Sequence, residues 1–402
     1  MTIRTINDLD VTSKRALVRV DFNVPMDKGG AIRDDTRIRV CLPTIQYLID
    51  HRARVILCSH LGRPKGKVDE AQRLTPVAKR LSELLNRPVK ALKECIGPDV
   101  KKEIASMRDG DVMLLENLRF YPGEEKNDPA FAKDLARLAD IYVNDAFSAS
   151  HRAHASVVGV TEYLPSVAGF LMEKELDSLG GLLEEPSHPF AAVIGGAKVS
   201  DKLEVLDNIV KRVNMFIIGG GMTATFFKSK GLGVGKSMVE EDKLQYVRNL
   251  SEKARLMGVR LLLPTDVVIT ENLDGSSPVR TVTTGDIPDG WSIADIGPQT
   301  VENYTRALKE CRTVFWNGPM GVFEVPKFAS GTKEIANAIS NLKVVKVVGG
   351  GSTVEAVTKI GVADKMTHVS TGGGATLEFL SGIQLPGVQA LIENHLKAPV
   401  AL

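Results

Sequence analysis

Short apolar runs recur along this chain, and segments with the apolar spacing of helices separate them. In the first half, the apolar runs are residues 16–22, 54–60, 111–118 and 141–147, and two of the helical segments are 76–85 and 129–139. Strands that alternate with helices are typical of parallel sheets covered by helices. The sequence therefore predicts an α/β fold built on parallel sheets.

A stretch near the middle of the chain, residues 169–186, has the pattern of an amphipathic helix. Leu171, Leu176, Leu179 and Leu183 fall on one face opposite acids and a lysine, and Pro186 ends the pattern. At 402 residues the chain is long for a single core. We predict two domains, residues 1–169 and 187–384, joined by a helix at 170–186. An ordinary surface helix within one domain is the alternative.

Composition argues against several classes of protein. The net charge of +2 is close to neutral, which argues against nucleic-acid binding, and 43% hydrophobic residues suit a globular protein. Cys41, Cys58, Cys95 and Cys311 are too scattered for a zinc site or a disulfide framework and indicate reduced thiols. The N-terminus lacks a targeting pattern and no apolar run reaches membrane-spanning length, so we expect a cytoplasmic protein.

Polar and charged residues follow the apolar runs of the first half. With one arginine from the first long loop, the set is Asp21, Asn23, Arg37, His60, Arg63, Arg119 and Arg152. Ligands of parallel sheets bind beyond the carboxyl ends of the strands, and guanidinium groups bind phosphate and carboxylate bidentately. The pattern predicts a site for a small, highly charged anion, although any one of these arginines alone also suits a solvated surface. His151 and His154 fit packing or capping better than chemistry.

Glycines follow the apolar runs of the second half. The five runs are 190–194, 215–218, 313–316, 344–348 and 367–370, and each leads into a glycine-rich turn. Glycine lets a backbone approach a ligand closely, and the amides of the next helix favour a phosphate group. Five such junctions in one domain predict a site for a nucleotide or another phosphorylated ligand.

Two lysines follow the first of these glycine turns. Lys198 and Lys202 are four residues apart, and we expect them on one face at the start of a helix. A phosphoryl group between them explains their position directly after Gly195 and Gly196, and a solvated helix face is the alternative. Trp316, at the end of another run, is expected to pack in the core.

Two motifs in the second half are similar to nucleotide-binding signatures. Residues 230–237 are similar to a Walker A loop, but Lys230 stands at its first glycine position and no strong strand precedes it. Residues 219–224 satisfy G-x-G-x-x-A after a strand, which leaves a dinucleotide fold open. In a dinucleotide fold, a second strand that ends in an acidic residue follows soon after this motif, and this sequence has no such strand there. A dinucleotide fold is therefore the weaker interpretation.

Seven segments together resemble phosphoglycerate kinase, and the resemblance runs through essentially the whole chain. They are 19–25 (RVDFNVP), 59–64 (SHLGRP), 115–120 (LENLRF), 151–156 (HRAHAS), 195–202 (GGAKVSDK), 316–324 (WNGPMGVFE) and 370–375 (STGGGA). The resemblance implies two Rossmann-like parallel-sheet domains joined by the central helix and a hinge. It also implies that the last segment, 385–402, packs back on the N-terminal domain.

The resemblance also assigns site residues. The 3-phosphoglycerate site in domain 1–169 would comprise Asp21, Asn23, Arg37, His60, Arg63, Arg119 and Arg152. The nucleotide site in domain 187–384 would comprise Ala197, Lys198, Lys202, Gly220, Gly221, Asn317, Pro319, Gly321, Val322, Glu324, Gly349, Gly350, Gly351, Ser352 and Thr353. The catalytic groups would be Arg37, Lys198 and Lys202 with the amides around Gly372 and Gly373.

The implied reaction is a step of glycolysis in which a phosphoryl group is transferred from 1,3-bisphosphoglycerate to ADP, giving 3-phosphoglycerate and ATP. The transfer is reversible and depends on Mg²⁺. Both nucleophiles, a carboxylate and a diphosphate oxygen, are ionised near neutral pH, so no general base is required. Catalysis then depends on positioning and charge neutralisation, and the domains must close because Arg37 and the two lysines lie in different ones. The resemblance further implies a monomer, whereas the expectation of no nucleic-acid or membrane partner rests on the near-neutral charge and on the lack of a membrane-spanning apolar run.

One position departs from the family pattern. The family has aspartate in the segment Gly-Gly-Gly-Asp followed by Thr or Ser, where this chain has Ser352 between Gly351 and Thr353. That aspartate is the family's protein contact to the nucleotide-bound magnesium, whereas serine offers only a neutral oxygen. We hypothesise that Mg²⁺ is held mainly by nucleotide oxygens and waters, because this ion sheds its water shell reluctantly.

Two other classes of protein remain as alternatives. A nucleotide-dependent dehydrogenase predicts NAD(H) binding and an acidic ribose partner, and it leaves the arginines of the first half unexplained. A two-lobed anion-binding protein is expected to have an export signal, which this N-terminus lacks. Such a protein would also not need Lys198 and Lys202 directly after glycines.

Overall fold

The computed structural model describes residues 3–396, and these form two compact units. The first unit comprises residues 3–176 and 384–396, and the second comprises residues 177–383. Within this described part of the chain, no helix is both long and apolar enough to span a membrane. Each unit is built on its own six-stranded sheet.

Parallel strands form the sheet of the first unit. Within the described residues they are β1 (Arg15–Arg19), β2 (Arg54–Cys58), β3 (Val89–Ala91), β4 (Val112–Leu114), β5 (Ile141–Asn144) and β6 (Ser166–Ala168). Their order is β3-β4-β2-β1-β5-β6, and neighbours pair in parallel. Along β1, Ala16 and Val18 join one apolar cluster and Leu17 joins another, so both faces of the sheet are buried. Such two-sided burial explains the nearly continuous apolar runs in the sequence.

Short helices connect these strands. They are α1 (Thr36–Arg39), α2 (Leu42–Asp50), α3 (Thr75–Leu85), α4 (Pro98–Ala105), α5 (Pro122–Glu125) and α6 (Pro129–Ala136). Helix α6 shows the local signals clearly, because Pro129 opens it and the Asp128 side chain accepts a hydrogen bond from the Phe131 amide at 2.8 Å. A proline in the first turn and an acidic N-cap both favour a helix start.

Helix α7 (Phe170–Leu183) is the helix expected near the middle of the chain. It begins where the carboxylate of Asp145 accepts hydrogen bonds from the amides of Leu171 at 2.9 Å and Met172 at 3.2 Å. It ends before Pro186, and the division between the two units falls within it, after residue 176.

The second unit contains two sheets. Its strands are β7 (Phe190–Ile194), β8 (Met215–Ile218), β9 (Arg260–Leu262), β10 (Asp266–Thr270), β11 (Val279–Thr283), β12 (Ser292–Ile296), β13 (Thr313–Asn317), β14 (Val345–Gly349) and β15 (His368–Val369). The larger sheet has the order β15-β14-β13-β7-β8-β9 and is parallel. All five predicted strand-to-glycine junctions belong to it, so their turns reach one edge. The prediction of an α/β fold with two parallel-sheet domains is confirmed.

The sequence does not predict the smaller sheet of the second unit. This sheet has three strands in the order β11-β10-β12, and neighbouring strands pair antiparallel. Strand β11 is mostly exposed, so it carries no apolar run that would reveal it. Strand β12 is buried throughout, and it contributes to the candidate site described below.

Helices of the second unit follow its strands. They are α8 (Leu203–Ile209), α9 (Thr223–Ser229), α10 (Leu244–Leu256), α11 (Pro298–Leu308), α12 (Ser330–Ser340), α13 (Gly351–Ile360) and α14 (Gly374–Leu380). Four of them, α8, α9, α13 and α14, follow the glycine turns after β7, β8, β14 and β15. Their N-termini therefore lie at the glycine-rich edge of the sheet.

Helix α15 (Pro386–Leu396) belongs to the first unit. The Asn394 side chain accepts a hydrogen bond from the Ser166 amide at 2.8 Å and donates to the carbonyls of Thr161 at 2.6 Å and Leu164 at 3.0 Å. Of the segment 385–402 that is expected to pack on the N-terminal domain, residues 397–402 lie outside the described part.

Candidate active site

In the first unit, polar side chains converge beyond the carboxyl ends of β1 and β2. The buried carboxylate of Asp21 accepts hydrogen bonds from the Arg37 guanidinium, from the Ser148 hydroxyl and, at 3.0 Å, from the Asn23 amide. His60 is also buried, and its Nδ1 lies 4.0 Å from Asp21 Oδ1. The fold therefore brings the predicted residues of two strand ends and the first long loop into one cluster.

The other predicted arginines of this unit differ in their contacts. Arg119 is mostly buried, and its Nη1 donates to the Gly62 carbonyl at 2.8 Å. Arg152 is exposed and donates to its neighbour His151 at 3.2 Å. Arg63 is exposed and makes no hydrogen bond or ion pair with another described residue. Exposed guanidinium groups that have no carboxylate partner suit the recognition of an anion.

Sequence reasoning misses two members of this cluster. Ser148 donates to Asp21, and Arg19 is buried at the end of β1 with its Nη2 3.1 Å from His60 Nδ1. A signal for Arg19 exists in the sequence, because a charged residue in an apolar strand must be paired to be tolerated. No local pattern distinguishes Ser148 from other serines.

In the second unit, a cavity of about 490 Å³ opens beside the glycine turns. The predicted residues that line it are Ala197, Gly220, Gly221, Pro319, Gly321, Val322, Glu324 and Ser352. Its volume lies in the range of ordinary small-molecule sites, roughly 300–1,000 Å³. The fold therefore assembles a large part of the predicted nucleotide site around one cavity.

Backbone hydrogen bonds hold the turns around this cavity together. The Gly196 amide donates to the Pro319 carbonyl at 3.0 Å, and the Gly220 amide donates to the Met320 carbonyl at 2.8 Å. Gly220 has φ +69°, and a Cβ there would lie 2.6 Å from the Gly196 backbone. Glycine is required at this position because no larger residue permits the approach.

Lys202 lies in a hydrogen-bonded chain at the ends of β13 and β14. Its Nζ donates to Asn317 Oδ1, and Asn317 Nδ2 donates to the Gly349 carbonyl at 2.8 Å. Burial lowers the pKa of Lys202, and Asp201 acts in the opposite direction. Lys202 and Asn317 do not line the cavity itself, but they join the turns that surround it.

The predicted glycine turn after β14 begins helix α13. Gly350 has φ +88°, and Gly351 is the first helical residue. The Thr353 hydroxyl accepts a hydrogen bond from the Gly318 amide at 2.6 Å, while exposed Ser352 lines the cavity. The first turn of α13 is thus directed toward the cavity, where its amides favour a phosphate.

The predicted turn at Gly372 and Gly373 precedes α14. The Gly372 amide donates to Ser370 Oγ at 3.2 Å, and Gly373 has φ +56°. Neither residue lines the cavity of about 490 Å³. The structure therefore places these amides at the same sheet edge but outside the cavity.

The expectation that Lys198 and Lys202 share a helical face is wrong. Lys198 lies in an exposed loop, and helix α8 begins only after Lys202. The amides of Val199 and Ser200 donate to Glu240 Oε2, at 2.5 Å and 3.2 Å. The first amides of a helix have no acceptor within it, so Glu240 satisfies the amides that precede α8, and residues Ser200–Lys202 form a single 3₁₀ turn instead of an α-helical one.

The Walker A-like segment, residues 230–237, follows helix α9 rather than a strand and leads into no helix at Ser237. It nevertheless contributes to the cavity, which Lys236, Ser237 and Met238 line together with Leu273. Ser237 Oγ accepts a hydrogen bond from the Ile293 amide of β12 at 2.9 Å. Sequence reasoning misses this wall because residues far apart in the chain form it.

Asp295 of β12 is a buried carboxyl group next to the cavity residue Gly321. Its Oδ2 accepts a hydrogen bond from the Gly331 amide at 2.7 Å, and its Oδ1 accepts one from the Ile296 amide at 2.9 Å. A Cβ at Gly321 would lie 2.3 Å from Asp295 Oδ1. Burial raises the pKa of Asp295 to about 7.

We expect the stability of Asp295→Asn, relative to the native chain, to rise with pH. A carboxyl group with a raised native pKa stabilises the folded state below its unfolded pKa of ~4, and this contribution is lost as pH rises through about 7. The difference in free energy of unfolding should therefore grow by up to about 1.4 kcal/mol per pH unit within that window. Urea unfolding followed by tryptophan fluorescence measures it, since Trp291 and Trp316 both lie in the second unit. A difference that does not vary with pH would show that native Asp295 is ionised.

Comparison with known proteins identifies the family. A family model described as phosphoglycerate kinase matches residues 6–383. Phosphoglycerate kinase of Moorella thermoacetica is 55% identical over 390 residues, covering 97% of this chain and 99% of that protein. The enzyme of the same name from Thermosynechococcus vestitus is 56% identical over 394 residues, covering 97% and 98%.

Two solved structures share the fold along nearly the whole chain. Phosphoglycerate kinase from Coxiella burnetii has a TM-score of 0.89 at 39% identity and covers 98% of this chain and 99% of its own. Phosphoglycerate kinase from Pyrococcus horikoshii OT3 has a TM-score of 0.86 at 34% identity, with coverage of 98% and 100%. The chain therefore belongs to the phosphoglycerate kinase family, the phosphotransferases of glycolysis.

Proposed function

We propose that this chain transfers a phosphoryl group reversibly between 1,3-bisphosphoglycerate and ADP, producing 3-phosphoglycerate and ATP. The observation that carries the proposal is the presence of two unlike binding environments in one phosphoglycerate kinase chain. The first unit has a cluster rich in arginine, and the second has a cavity bordered by glycine turns. The first environment suits a small anion, and the second suits a nucleotide.

The first unit would bind 3-phosphoglycerate. This substrate carries a phosphate at one end and a carboxylate at the other, so its recognition needs cations at two positions. Exposed Arg63 and Arg152 pair with no carboxylate of the described residues, and half-buried Arg37 pairs with Asp21. These guanidinium groups can contact both ends of the substrate bidentately, with Arg119, His60 and Asn23 completing the site.

The second unit would bind ATP or ADP in the cavity, with the phosphates toward the glycine turns and helix α13. The dipole and free amides at the start of this 10-residue helix favour negative charge. Met238, Leu273 and Val322 offer apolar walls for a base, which the family resemblance identifies as adenine. Glu324 lines the same cavity and can accept hydrogen bonds from ribose hydroxyls.

In the proposed step, a carboxylate oxygen of 3-phosphoglycerate attacks the γ-phosphorus of ATP. A bond forms between this oxygen and phosphorus, the bond to the bridging β-phosphate oxygen breaks, and ADP leaves with the electron pair. The carboxylate is already ionised near neutral pH, so catalysis reduces to alignment and charge neutralisation. We assign that neutralisation to Lys202 and Arg37, assisted by Lys198 and the amides around Gly372 and Gly373.

Transfer would also require the two units to close around both substrates. The proposed substrates bind different units, whereas reacting atoms must come within about 3–3.5 Å for in-line attack. Closure would in addition keep water away from the transferring group. Small-angle scattering should show a smaller radius of gyration with 3-phosphoglycerate and an ATP analogue together than with either alone. Identical curves would contradict closure.

Magnesium is proposed as part of the nucleotide substrate. Among the described residues, no group of three or more His, Cys, Asp and Glu side chains could hold a metal ion. Ser352 is exposed and offers one neutral hydroxyl to the cavity. The residues present do not fit a resident metal site, so we infer that Mg²⁺ arrives with ATP or ADP and keeps most of its waters.

Replacing Ser352 by aspartate should make nucleotide binding depend more strongly on the metal. A carboxylate attracts the ion carried by MgADP and repels metal-free ADP, so we expect the ratio of their affinities to rise about tenfold, or ~1.4 kcal/mol. Calorimetric titration of both forms into S352D and into the neutral control S352N measures this ratio. Equal ratios in the native chain and S352D would show that position 352 does not face the metal.

We propose that the protein is a cytoplasmic monomer. All four cysteines are free and buried, which a reducing compartment permits. The monomeric state rests on the family resemblance alone. Light scattering that gives the mass of two chains in solution would contradict it.

A coupled assay tests the proposed function. Purified protein is mixed with 3-phosphoglycerate, MgATP, glyceraldehyde-phosphate dehydrogenase and NADH, and the oxidation of NADH is followed. We expect oxidation only when the protein and both of its substrates are present. Binding of both substrates without oxidation would contradict the transfer step, and binding of neither would contradict the assignment of both sites. NADH oxidation without the added dehydrogenase would favour the dehydrogenase alternative.

A further inference from the structure

Arg19 is buried at the end of β1, and the proposed reaction assigns it no role. Only 1% of its surface is exposed, and it is among the largest fully buried side chains of the described chain. A guanidinium group keeps its positive charge in proteins, so its burial is unfavourable unless it is paired and hydrogen-bonded. The partners of Arg19 therefore indicate what it does.

The guanidinium of Arg19 contacts three groups. Its Nε donates to Ser156 Oγ at 2.8 Å, its Nη1 donates to the Val20 carbonyl, and its Nη2 lies 3.1 Å from His60 Nδ1. Ser156 Oγ in turn donates to the buried carboxylate of Glu124 at 2.6 Å. One side of the guanidinium is thus linked through Ser156 to the buried carboxyl group of Glu124, while the other side is directed at His60.

The contact between Arg19 and His60 allows only one arrangement of protons. The nitrogen atoms of arginine can donate but cannot accept, so His60 Nδ1 must accept and carries no proton. A ring protonated at Nδ1, whether neutral or charged, would direct one N–H group against another. Asp21 Oδ1 lies 4.0 Å from Nδ1, which is longer than a hydrogen bond. The proton of the neutral ring is then on Nε2.

We propose that Arg19 is a positioning residue that holds His60 as the neutral tautomer protonated at Nε2, so that His60 offers an N–H donor to the bound anion. The proposal rests on the proposed function, because it takes this cluster as the 3-phosphoglycerate site. The charged groups around the ring are Asp21, Arg19, Arg37 and Arg119. Burial lowers the pKa of His60 well below its ordinary value; Asp21 opposes this shift, and the arginines add to it.

This tautomer has a consequence for recognition. A neutral N–H group donates to a phosphate or carboxylate oxygen without itself titrating, while the surrounding arginines supply the positive charge. Affinity for 3-phosphoglycerate should therefore show no transition from His60 near the ordinary histidine pKa of ~6.5.

Nitrogen-15 NMR of the histidine-labelled protein tests the tautomer without any substrate. The chain has seven histidines, and the resonances that disappear in His60→Gln identify the ring. From about pH 6 to about pH 8 we expect a protonated Nε2 and an unprotonated Nδ1 in the native chain, and a mixture of tautomers in Arg19→Met. A protonated Nδ1 in the native chain, or an unaltered tautomer in a folded Arg19→Met, would overturn the proposal.

Two replacements of His60 provide a second test that leaves Arg19 in place. Glutamine puts its amide N–H near the position of Nε2, whereas asparagine puts it near Nδ1. We expect the KM for 3-phosphoglycerate to be about tenfold higher in H60N than in H60Q, without a matching difference in the KM for ATP, because only glutamine keeps the donor. Equal KM values for 3-phosphoglycerate would contradict the proposal. If the native chain shows the Nε2 tautomer but no phosphoryl transfer, the proposed function fails and the tautomer assignment stands.

Discussion

Replacing Lys202 by alanine is expected to lower kcat by about 10²–10³-fold, the usual effect of removing one preorganised group that stabilises a transition state. Its Nζ is held by Asn317 at the sheet edge where the glycine turns meet. A fixed ammonium group at this position can neutralise charge that develops on the transferring phosphoryl group. Because that charge develops mainly in the transition state, the KM for ATP should change much less than kcat.

Two further variants make the result for Lys202 specific. Lys309→Ala removes an exposed lysine of the same unit and should leave kcat unaltered, whereas Lys202→Arg keeps the charge in a different shape. Lys202→Ala also leaves the buried Asn317 Oδ1 without the hydrogen bond that Lys202 donates to it. Thermal unfolding of each variant therefore has to show that a loss of activity is not a loss of stability. If K202A loses no more activity than K309A, Lys202 does not act on the transferring group.

Gly318→Ala is expected to destabilise the second unit by about 2–5 kcal/mol, the sum of backbone strain and overpacking. Gly318 has φ +97°, a conformation that residues with a side chain rarely adopt. Its added Cβ would lie 2.1 Å from the Gly195 carbonyl oxygen and 2.3 Å from the carbonyl carbon. Backbone atoms cannot rotate away as a side chain can, so the ends of β7 and β13 would have to separate. The adjacent Pro319 lines the cavity, and nucleotide affinity should fall with stability.

A matched control for Gly318→Ala is Gly285→Ala in the same unit. Among the described residues, only Gly285 itself and its two chain neighbours have atoms within 4 Å of a Cβ at this position, and the φ of Gly285 is not positive. Its free energy of unfolding should change by less than about 1 kcal/mol. Urea unfolding followed by tryptophan fluorescence compares the two variants, and calorimetric titration with ADP reports on the cavity. Similar stability of the two variants would contradict the tight approach between Gly318 and Gly195.

Local patterns were sufficient to predict most strands of the two parallel sheets. Strands β7 and β8 have the predicted bounds, 190–194 and 215–218, because a strand buried on both faces is itself a continuous apolar run. The prediction for residues 111–118 is too long, since β4 ends at Leu114. Beyond it, the Asn117 side chain accepts hydrogen bonds from the amides of Leu61 and Arg119 and turns the chain out of the sheet. That long-range contact has no counterpart in a local pattern.

Some residues of the candidate sites could likewise be predicted from local patterns, and others could not. Glycines at strand ends and arginines after strands can be recognised singly, because residue type and position carry the chemical argument. The wall of the cavity formed by residues 236–238, Leu273 and β12 could not be predicted, since it depends on how an antiparallel sheet packs beside the glycine turns. The assignment of the predicted residues to 3-phosphoglycerate and to the nucleotide stays a prediction that the experiments above test.

The α/β class and the residue types gathered at the two sheet edges could be predicted from the sequence because each depends on local patterns, and the family could be predicted because seven such segments occur along the chain. Which side chains contact one another became clear only from the folded chain. Arg19 contacts His60 across 41 residues, Lys202 contacts Asn317 across 115, and Glu240 accepts the Val199 amide across 41. Such pairs are set by the order of strands in the sheets, and that order minimises exposed apolar surface over a whole unit. No periodicity along the chain encodes it.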